Sequence, residues 1–67
     1  MKNHLKKLRE AKGLSQQKLG DILGVSRQTT NSVENGKFDP SLTLAIKLTK
    51  FFGEPIDSIF EHEDLLK

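Results

Sequence analysis

The seven residues from Ser26 to Ser32, SRQTTNS, combine one arginine with amide and hydroxyl side chains and contain no carboxylate. Arginine can direct two N–H groups onto guanine O6 and N7, Gln and Asn can pair with adenine N6 and N7, and hydroxyl groups adapt to either base. A carboxylate in the same place would be repelled by the phosphates of a duplex. These residue types therefore indicate a surface that reads base edges in the major groove of DNA.

A helix would gather these side chains on one side, because residues three and four apart share a face. Ser26 is a suitable N-cap, and the helix that it begins is predicted to run to residue 35, just before Gly36. Thr29 or Thr30 then points with Val33 toward the core. The outer side carries the polar set Arg27, Gln28, Asn31, Ser32 and Asn35.

Capping residues and glycines divide the chain into five predicted helices, over about residues 3–12, 16–23, 26–35, 41–52 and 55–60. Ser15 and Ser41 are the candidate N-caps of the second and fourth helices. Strand signals are otherwise absent, so we predict an all-α protein. The last seven residues, 61–67, fit a helical extension, a short strand or a loose tail.

Only three residues, Gly24, Val25 and Ser26, separate the second predicted helix from the third. So short a connection holds two helices at a steep angle in the helix-turn-helix arrangement, here over about residues 16–35. Gly20 lies on the inner side of the second helix, where glycine costs about 0.8–1.0 kcal/mol relative to alanine. Either the two backbones approach closely there, or the glycine is a tolerated replacement for alanine.

Apolar residues at helical spacing give the predicted core. The inward-facing sets are Leu5, Leu8 and Ala11 in the first helix, Leu19, Ile22 and Leu23 in the second, and Ile56, Ile59 and Phe60 in the fifth. Val25, which lies in the turn, is predicted to pack into the core. The fourth helix has two apolar stripes, one with Leu44, Leu48 and Phe51 and one with Leu42, Ala45, Ile46 and Phe52. One of these stripes is therefore available to a partner.

Length and composition limit the class of protein. Sixty-seven residues make one domain, and the absence of cysteine excludes disulfides and thiolate metal sites. The N-terminal residues lack the apolar run of a signal peptide and no stretch is long enough to span a membrane, so we expect a cytoplasmic protein. Residues 1–37 carry eight Lys/Arg and three acids, whereas residues 38–67 carry three Lys/Arg and six acids. This asymmetry favours a polyanion that is bound by one end of the domain.

Three motifs make the sequence resemble the helix-turn-helix domains of phage repressors and Cro proteins, the XRE family of bacterial regulators. They are Leu14-Ser15-Gln16 followed by Leu19, then Leu23-Gly24-Val25-Ser26, then Glu34-Asn35-Gly36-Lys37. The resemblance covers about residues 3–60, and small stand-alone members such as the cytolysin repressor of enterococci are similar in length and layout. It implies a compact five-helix fold like that of lambda repressor. It also implies a sequence-specific transcriptional regulator, most simply a repressor, whose partner is double-stranded DNA.

The resemblance further implies roles for individual residues. Ser26, Arg27, Gln28 and Ser32 match base-reading positions, and Gln16, Asn35 and Lys37 match phosphate-binding positions. Gln16 would also brace the third helix. Arg9 and Glu34 match a buried ion pair that joins the first helix to the third and would neutralise an acid near the phosphates. The family usually has Ala at position 20 and Ile or Val at position 30, so Thr30 must bury its methyl group and bond its hydroxyl to the backbone.

Other classes of function make different demands on the sequence. An antitoxin that silences a toxin would have a short toxin-like reading frame beside its gene, and an interaction module without DNA binding would scatter acids along the third helix. No nucleophile–base set or phosphate-binding glycine loop marks an enzyme, and no cofactor or small-molecule ligand is indicated. His62 with Glu61, Glu63 and Asp64 makes a poor metal site, because adjacent residues do not converge on one ion.

Base reading by one helix also implies assembly. A single helix reads too few base pairs to find one promoter among roughly 10⁶–10⁹ competing sites. A homodimer would read a palindrome with half-sites about one helical turn apart. We expect its interface away from DNA, at the end of the fourth helix, the fifth helix and the C-terminal residues, about residues 50–67. The candidate apolar groups are Leu42, Ile46, Phe51, Phe60, Leu65 and Leu66. Alternatively, the fifth helix and the tail cover all of them within one chain, and this alternative is strongest for Leu65 and Leu66.

Overall fold

The computed structural model describes residues 1–61 of the chain, and within them it contains five α-helices and no sheet. The helices are α1 (Leu5–Ala11), α2 (Gln16–Leu23), α3 (Arg27–Glu34), α4 (Leu42–Phe52) and α5 (Ile56–Ile59). The predicted all-α fold is confirmed, with each helix within two residues of its predicted limits. The three predicted conformations of the tail concern residues that lie almost wholly outside the described part.

Serine side chains begin the three middle helices as predicted. The Oγ atoms of Ser15, Ser26 and Ser41 each accept a hydrogen bond from the backbone N–H three residues later, at 3.0–3.1 Å. Gly24 and Gly53 close α2 and α4 in the left-handed conformation, with φ of 75° and 65°. These local signals set the limits of the helices before any tertiary contact is considered.

The core lies where the inner faces of the five helices meet. It comprises the buried side chains of Leu5, Leu19, Leu23, Val33, Leu44, Leu48, Ile59 and Phe60. Three predicted core residues lie elsewhere: Ile22 and Ile56 are 44% and 39% exposed, and Ala11 is exposed. In α1 the residue that turns inward is Arg9, two positions before Ala11, and in α2 the pair Leu19 and Leu23 already fills the stripe that faces the core.

The close approach of the turn between α2 and α3 to the backbone of α2 depends on Gly20. A Cβ atom at this position would lie 2.7 Å from the carbonyl oxygen of Val25, closer than real Cβ atoms approach backbone. Of the two explanations for this glycine, close approach is therefore confirmed. Lys47 also contacts the end of α2, where its Nζ donates to the Leu23 carbonyl at 3.1 Å. Both contacts hold the turn that leads into α3.

Thr30 occupies the position where the family usually has a branched aliphatic residue. It is 3% exposed, and its hydroxyl donates to the carbonyl of Ser26 at 3.4 Å. The predicted arrangement, a buried methyl group with a backbone-bonded hydroxyl, is confirmed. The hydroxyl is thus satisfied within α3, and the substitution leaves no unpaired polar group in the core.

The N-terminal residues form a short antiparallel bridge that the sequence did not predict. Asn3 pairs with Phe60, and the flanking bonds run from His4 N to Ile59 O and from Glu61 N to Lys2 O, at 2.8 and 2.9 Å. The Asn3 side chain also accepts from Leu5 N and donates to the Val33 carbonyl at 2.8 Å. This explains why α1 begins at Leu5 rather than at residue 3. It also ties the start of the chain to the end of α3.

None of the helices within residues 1–61 is long and apolar enough to cross a membrane. The longest of them, α4, has 11 residues, about half of what a bilayer requires.

Candidate nucleic-acid interface

The outer side of α3 is exposed and free of acids. Arg27 and Gln28 are exposed and Ser32 is partly so, while Thr30 and Val33 on the opposite side are buried. An open cleft of about 390 Å³ lies along this surface, lined by Ser26, Gln28, Thr29, Asn31, Ser32 and Phe38. The structure thus brings three of the four predicted base-reading residues to one cleft, and Arg27 lies beside it at the start of the helix.

Ser26 has a structural task in addition to its predicted one. Its Oγ accepts from the Thr29 N–H at 3.1 Å and lies 3.0 Å from the Thr29 hydroxyl. These are the bonds of an N-cap. A base contact from Ser26 would use the same hydroxyl group that already caps the first turn of α3. The exposed side chains of Arg27 and Gln28 have no such capping bond.

Arg9 and Glu34 are joined by two hydrogen bonds between α1 and α3. Arg9 Nε donates to Glu34 Oε2 at 2.6 Å, and Arg9 Nη2 donates to Oε1 at 3.2 Å. The two side chains are 10% and 2% exposed. Arg9 Nη1 also donates to the carbonyl of Leu14 at 2.7 Å, so the guanidinium is fixed from three directions. The structure therefore places the expected ion pair in the interior.

The pair changes the charge that α3 presents. The hydrogen bond to Glu34 raises the pKa of Arg9 above its ordinary value, against the opposing effect of burial, so the guanidinium stays charged. Because the Glu34 carboxylate is enclosed and neutralised, the acid in α3 does not contribute a bare negative charge to the outer side. The outer side of α3 therefore presents Arg27 without a competing carboxylate, although the helix contains a glutamate.

Gln16, at the start of α2, is bonded to α3. Its Nε2 donates to Asn31 Oδ1 and to Glu34 Oε1, both at 3.1 Å. A side-chain amide has two N–H donors, and both are used here. A phosphate contact by this side chain would have to displace one of these bonds. The geometry therefore favours the bracing role of Gln16 over the phosphate-binding role of its side chain.

The loop after α3 holds the other two predicted phosphate-binding residues. Asn35 caps the helix and donates from Nδ2 to Asn31 Oδ1 at 3.3 Å, and Gly36 follows with φ of 73°. The chain then turns back, since Lys37 N donates to the Ser32 carbonyl at 3.0 Å. Asn35 and Lys37 are both exposed, next to the outer side of α3.

The acids near the C-terminus form no metal site within the described residues. Among residues 1–61 no group of three or more His, Asp or Glu side chains is arranged to hold an ion. His62, Glu63 and Asp64 lie outside that range, while Glu61 Oε2 lies 3.4 Å from His4 Nε2.

Comparison with known proteins agrees with this geometry. A model of the helix-turn-helix family matches residues 5–59, a span that contains all five helices. The chain belongs to this family, the Cro/C1 or XRE type of helix-turn-helix protein. It is 55% identical over 64 residues to an uncharacterized HTH-type transcriptional regulator of Methanocaldococcus jannaschii, covering 96% of this chain and 97% of the relative. It is 45% identical to another, from Bacillus subtilis, with the same coverage.

A solved structure supports the assignment at the level of the fold. The restriction-modification controller protein C.AhdI from Aeromonas hydrophila is 35% identical, with a TM-score of 0.74 over 85% of this chain and 86% of that one. As a member of the XRE family, the protein is a DNA-binding transcriptional regulator. The relatives give no support to the antitoxin alternative, and they are not known enzymes.

Three residues on or beside α3 were not among the predicted site residues. Asn31 joins Gln16 to Asn35, Asn3 bonds the last turn of α3, and Phe38 lines the cleft. Asn31 could have been included, because it falls on the outer side of α3 by helical spacing. The bonds of Asn3 depend on a tertiary approach over 30 residues of chain, for which the sequence contains no signal.

Proposed function

We propose that this XRE-family protein is a sequence-specific repressor that binds a palindromic operator as a homodimer in the cytoplasm, with α3 in the major groove. The observation that carries the proposal is the charge arrangement of α3. Its exposed side bears Arg27, Gln28 and Ser32 without an acid, while its one glutamate is enclosed by Arg9 and Gln16. Such an arrangement serves a helix that lies between rows of phosphates.

Each candidate residue has a role in this proposal. Arg27, Gln28 and Ser32 read base edges, and Ser26 contributes to reading while it caps the helix. Asn35 and Lys37 bind a phosphate beside the groove, because both are exposed on the loop that follows α3. Gln16 holds α3 in place through its two hydrogen bonds rather than by a side-chain contact with phosphate.

A second copy of the chain is the proposed partner on the apolar surface of α4 and α5. Leu42 and Ile46 of α4 are 78% and 46% exposed, and Leu42 and Ile56 border an apolar groove of about 370 Å³. Phe51 and Phe52, by contrast, pack against the core, and Phe60 is buried within it. These exposures favour an interface at the start of α4 and on α5, rather than at the end of α4. Leu65 and Leu66 lie outside the described residues.

Footprinting on the DNA upstream of the protein's own gene tests the function directly, since many repressors of this family control their own promoters. We expect protection of two half-sites about one helical turn apart, on one face of the duplex. Repression requires that the protected region overlap the promoter. Protection of a single half-site, or of no site at micromolar protein, would contradict the proposal.

Base reading predicts a loss of discrimination as well as of affinity. Arg27→Ala or Gln28→Ala should cost about 1–3 kcal/mol on the operator and relax the preference at one base pair. Gln17→Ala is the matched control, because Gln17 is exposed on α2, where its amide bonds Asp21 at 2.9 Å. Titration of wild type and each variant on operator and random duplexes measures both the loss of affinity and the loss of discrimination. Equal losses on both would remove these residues from base reading.

Phosphate binding by Lys37 predicts a different signature. Lys37→Ala should weaken binding almost equally on all sequences and reduce the slope of log K against log salt by about one ion. Lys50→Ala, an exposed lysine of α4 in the acidic half of the chain, should leave the slope unchanged. The same slope in Lys37→Ala as in wild type would place Lys37 off the DNA.

A further inference from the structure

Phe38 is the one exposed phenylalanine among residues 1–61. Phe60 is part of the core, and Phe51 and Phe52 pack against it, with their rings meeting edge to face at 4.9 Å. Phe38 does not belong to this cluster and is 50% exposed. An aromatic side chain left in water forgoes most of the stabilisation that its burial would give. The fold therefore does not account for an aromatic residue at this position.

The backbone directs Phe38 back toward α3. Gly36 adopts a positive φ of 73°, and Lys37 N bonds the Ser32 carbonyl at 3.0 Å, so the chain reverses immediately after the helix. Phe38 then lines the same open cleft as Gln28 and Ser32. An apolar ring thus lies at the border of an otherwise polar reading surface.

The major groove offers one apolar group to such a ring, the C5-methyl group of thymine. We propose that Phe38 is a specificity-determining residue that contacts a thymine methyl group next to the base pairs read by Gln28 and Ser32. This inference rests on the proposed function, because it requires α3 to lie in the groove. Withdrawal of one methyl group from water corresponds to about 0.8 kcal/mol, or roughly a fourfold change in affinity.

The other apolar surface of the domain does not include Phe38. The groove assigned to the second copy is lined by Met1, Asp39, Pro40, Leu42, Ala45, Ile56, Asp57 and Phe60. Phe38 borders a different cleft, whose other lining residues all belong to α3 or its cap. A contact with a phosphate group would use neither the flat apolar face of the ring nor its position beside Gln28. Thymine is the occupant that matches both.

Selection from a pool of random duplexes tests the inference even where the operator sequence is not known. Wild type, Phe38→Ala and Phe38→Leu would each select a motif. We expect Phe38→Ala to lose a thymine preference at one position in each half-site while it retains the rest of the motif. Phe38→Leu, which keeps an apolar side chain, should retain most of that preference. Because Phe38 is half exposed and outside the core, the variants should melt close to wild type.

A second arm replaces that thymine in one of the two half-sites by deoxyuridine, which lacks only the methyl group. Wild type should lose roughly fourfold in affinity for the site. Phe38→Ala should bind both duplexes equally. If wild type selects no motif, the proposed function fails and this inference fails with it. If Phe38→Ala selects the unchanged motif, weakens all sequences alike, or still distinguishes thymine from deoxyuridine, the inference alone is overturned.

Discussion

Arg9→Ala is expected to lower the free energy of unfolding by about 3–5 kcal/mol, the usual cost of removing one partner from a buried ion pair. The change would leave the Glu34 carboxylate, 2% exposed, with only the amide of Gln16 as a partner. It would also leave the Leu14 carbonyl without the guanidinium N–H that it now accepts at 2.7 Å. Denaturant unfolding followed by circular dichroism measures the loss.

The expected loss is large relative to the stability of so small a domain. At about 0.05–0.15 kcal/mol per residue, the whole chain is stable by roughly 3–10 kcal/mol. The Arg9→Ala protein can therefore be largely unfolded. Arg9→Lys is a milder variant, because lysine keeps the positive charge but cannot make both hydrogen bonds to Glu34 with the geometry of arginine. Arg27→Ala is the matched control. It removes an exposed arginine and should change stability by no more than about 0.5 kcal/mol.

A double variant separates the effect of the uncompensated Glu34 charge on stability from the effect of the lost packing of Arg9. Arg9→Ala combined with Glu34→Gln removes the carboxylate charge and keeps a polar group that can bond Gln16. It should recover part of the stability that Arg9→Ala loses, because an uncompensated buried charge accounts for most of the cost. A melting temperature of Arg9→Ala within a degree or two of wild type would show that the pair contributes little. Failure of the double variant to recover stability would assign the loss to packing.

The sequence predicted the parts of the fold that depend on local interactions. Ser15, Ser26 and Ser41 begin helices because each side chain bonds a backbone N–H within its own first turn. Gly24 ends α2 because the left-handed conformation carries no cost for glycine. Such signals are contained in four or five consecutive residues. For this reason the helix limits, and the placement of Gln28 and Ser32 on one side of α3, could be predicted.

The sequence could not predict the features that depend on how the helices pack against one another. Ile22 and Ile56 have the spacing of core residues, yet no other helix within residues 1–61 covers them. The bond from Asn3 to the Val33 carbonyl joins residues 30 positions apart in the chain. For the same reason the sequence could not decide between the two roles predicted for Gln16. Its type and position fit a phosphate contact as well as a brace for α3, and in the structure two acceptors on α3 occupy both of its N–H groups. Helical periodicity indicates a face, and only tertiary packing decides what that face meets.

Leu42→Glu is expected to convert the proposed dimer into a monomer and to weaken operator binding by about 10²–10⁴-fold. Two linked recognition helices bind a palindrome far more tightly than one, because the second contact is made at a high effective concentration. Leu42 is 78% exposed, so the monomer loses almost no internal packing when the side chain is replaced. A charge buried at a two-fold interface would face its own copy or an apolar groove, and both are unfavourable.

Thr43→Glu is the matched control, because it adds the same charge to the same helix at an exposed residue that does not line the groove. Any general repulsion between the new carboxylate and DNA would appear equally in both variants. Sedimentation at micromolar protein should give a dimer for wild type and Thr43→Glu, and a 7.6 kDa species for Leu42→Glu. A 7.6 kDa wild type, both free and on operator DNA, would exclude the dimer. A Leu42→Glu protein that remained dimeric would move the interface away from the start of α4, because a glutamate at its centre could not be accommodated without loss.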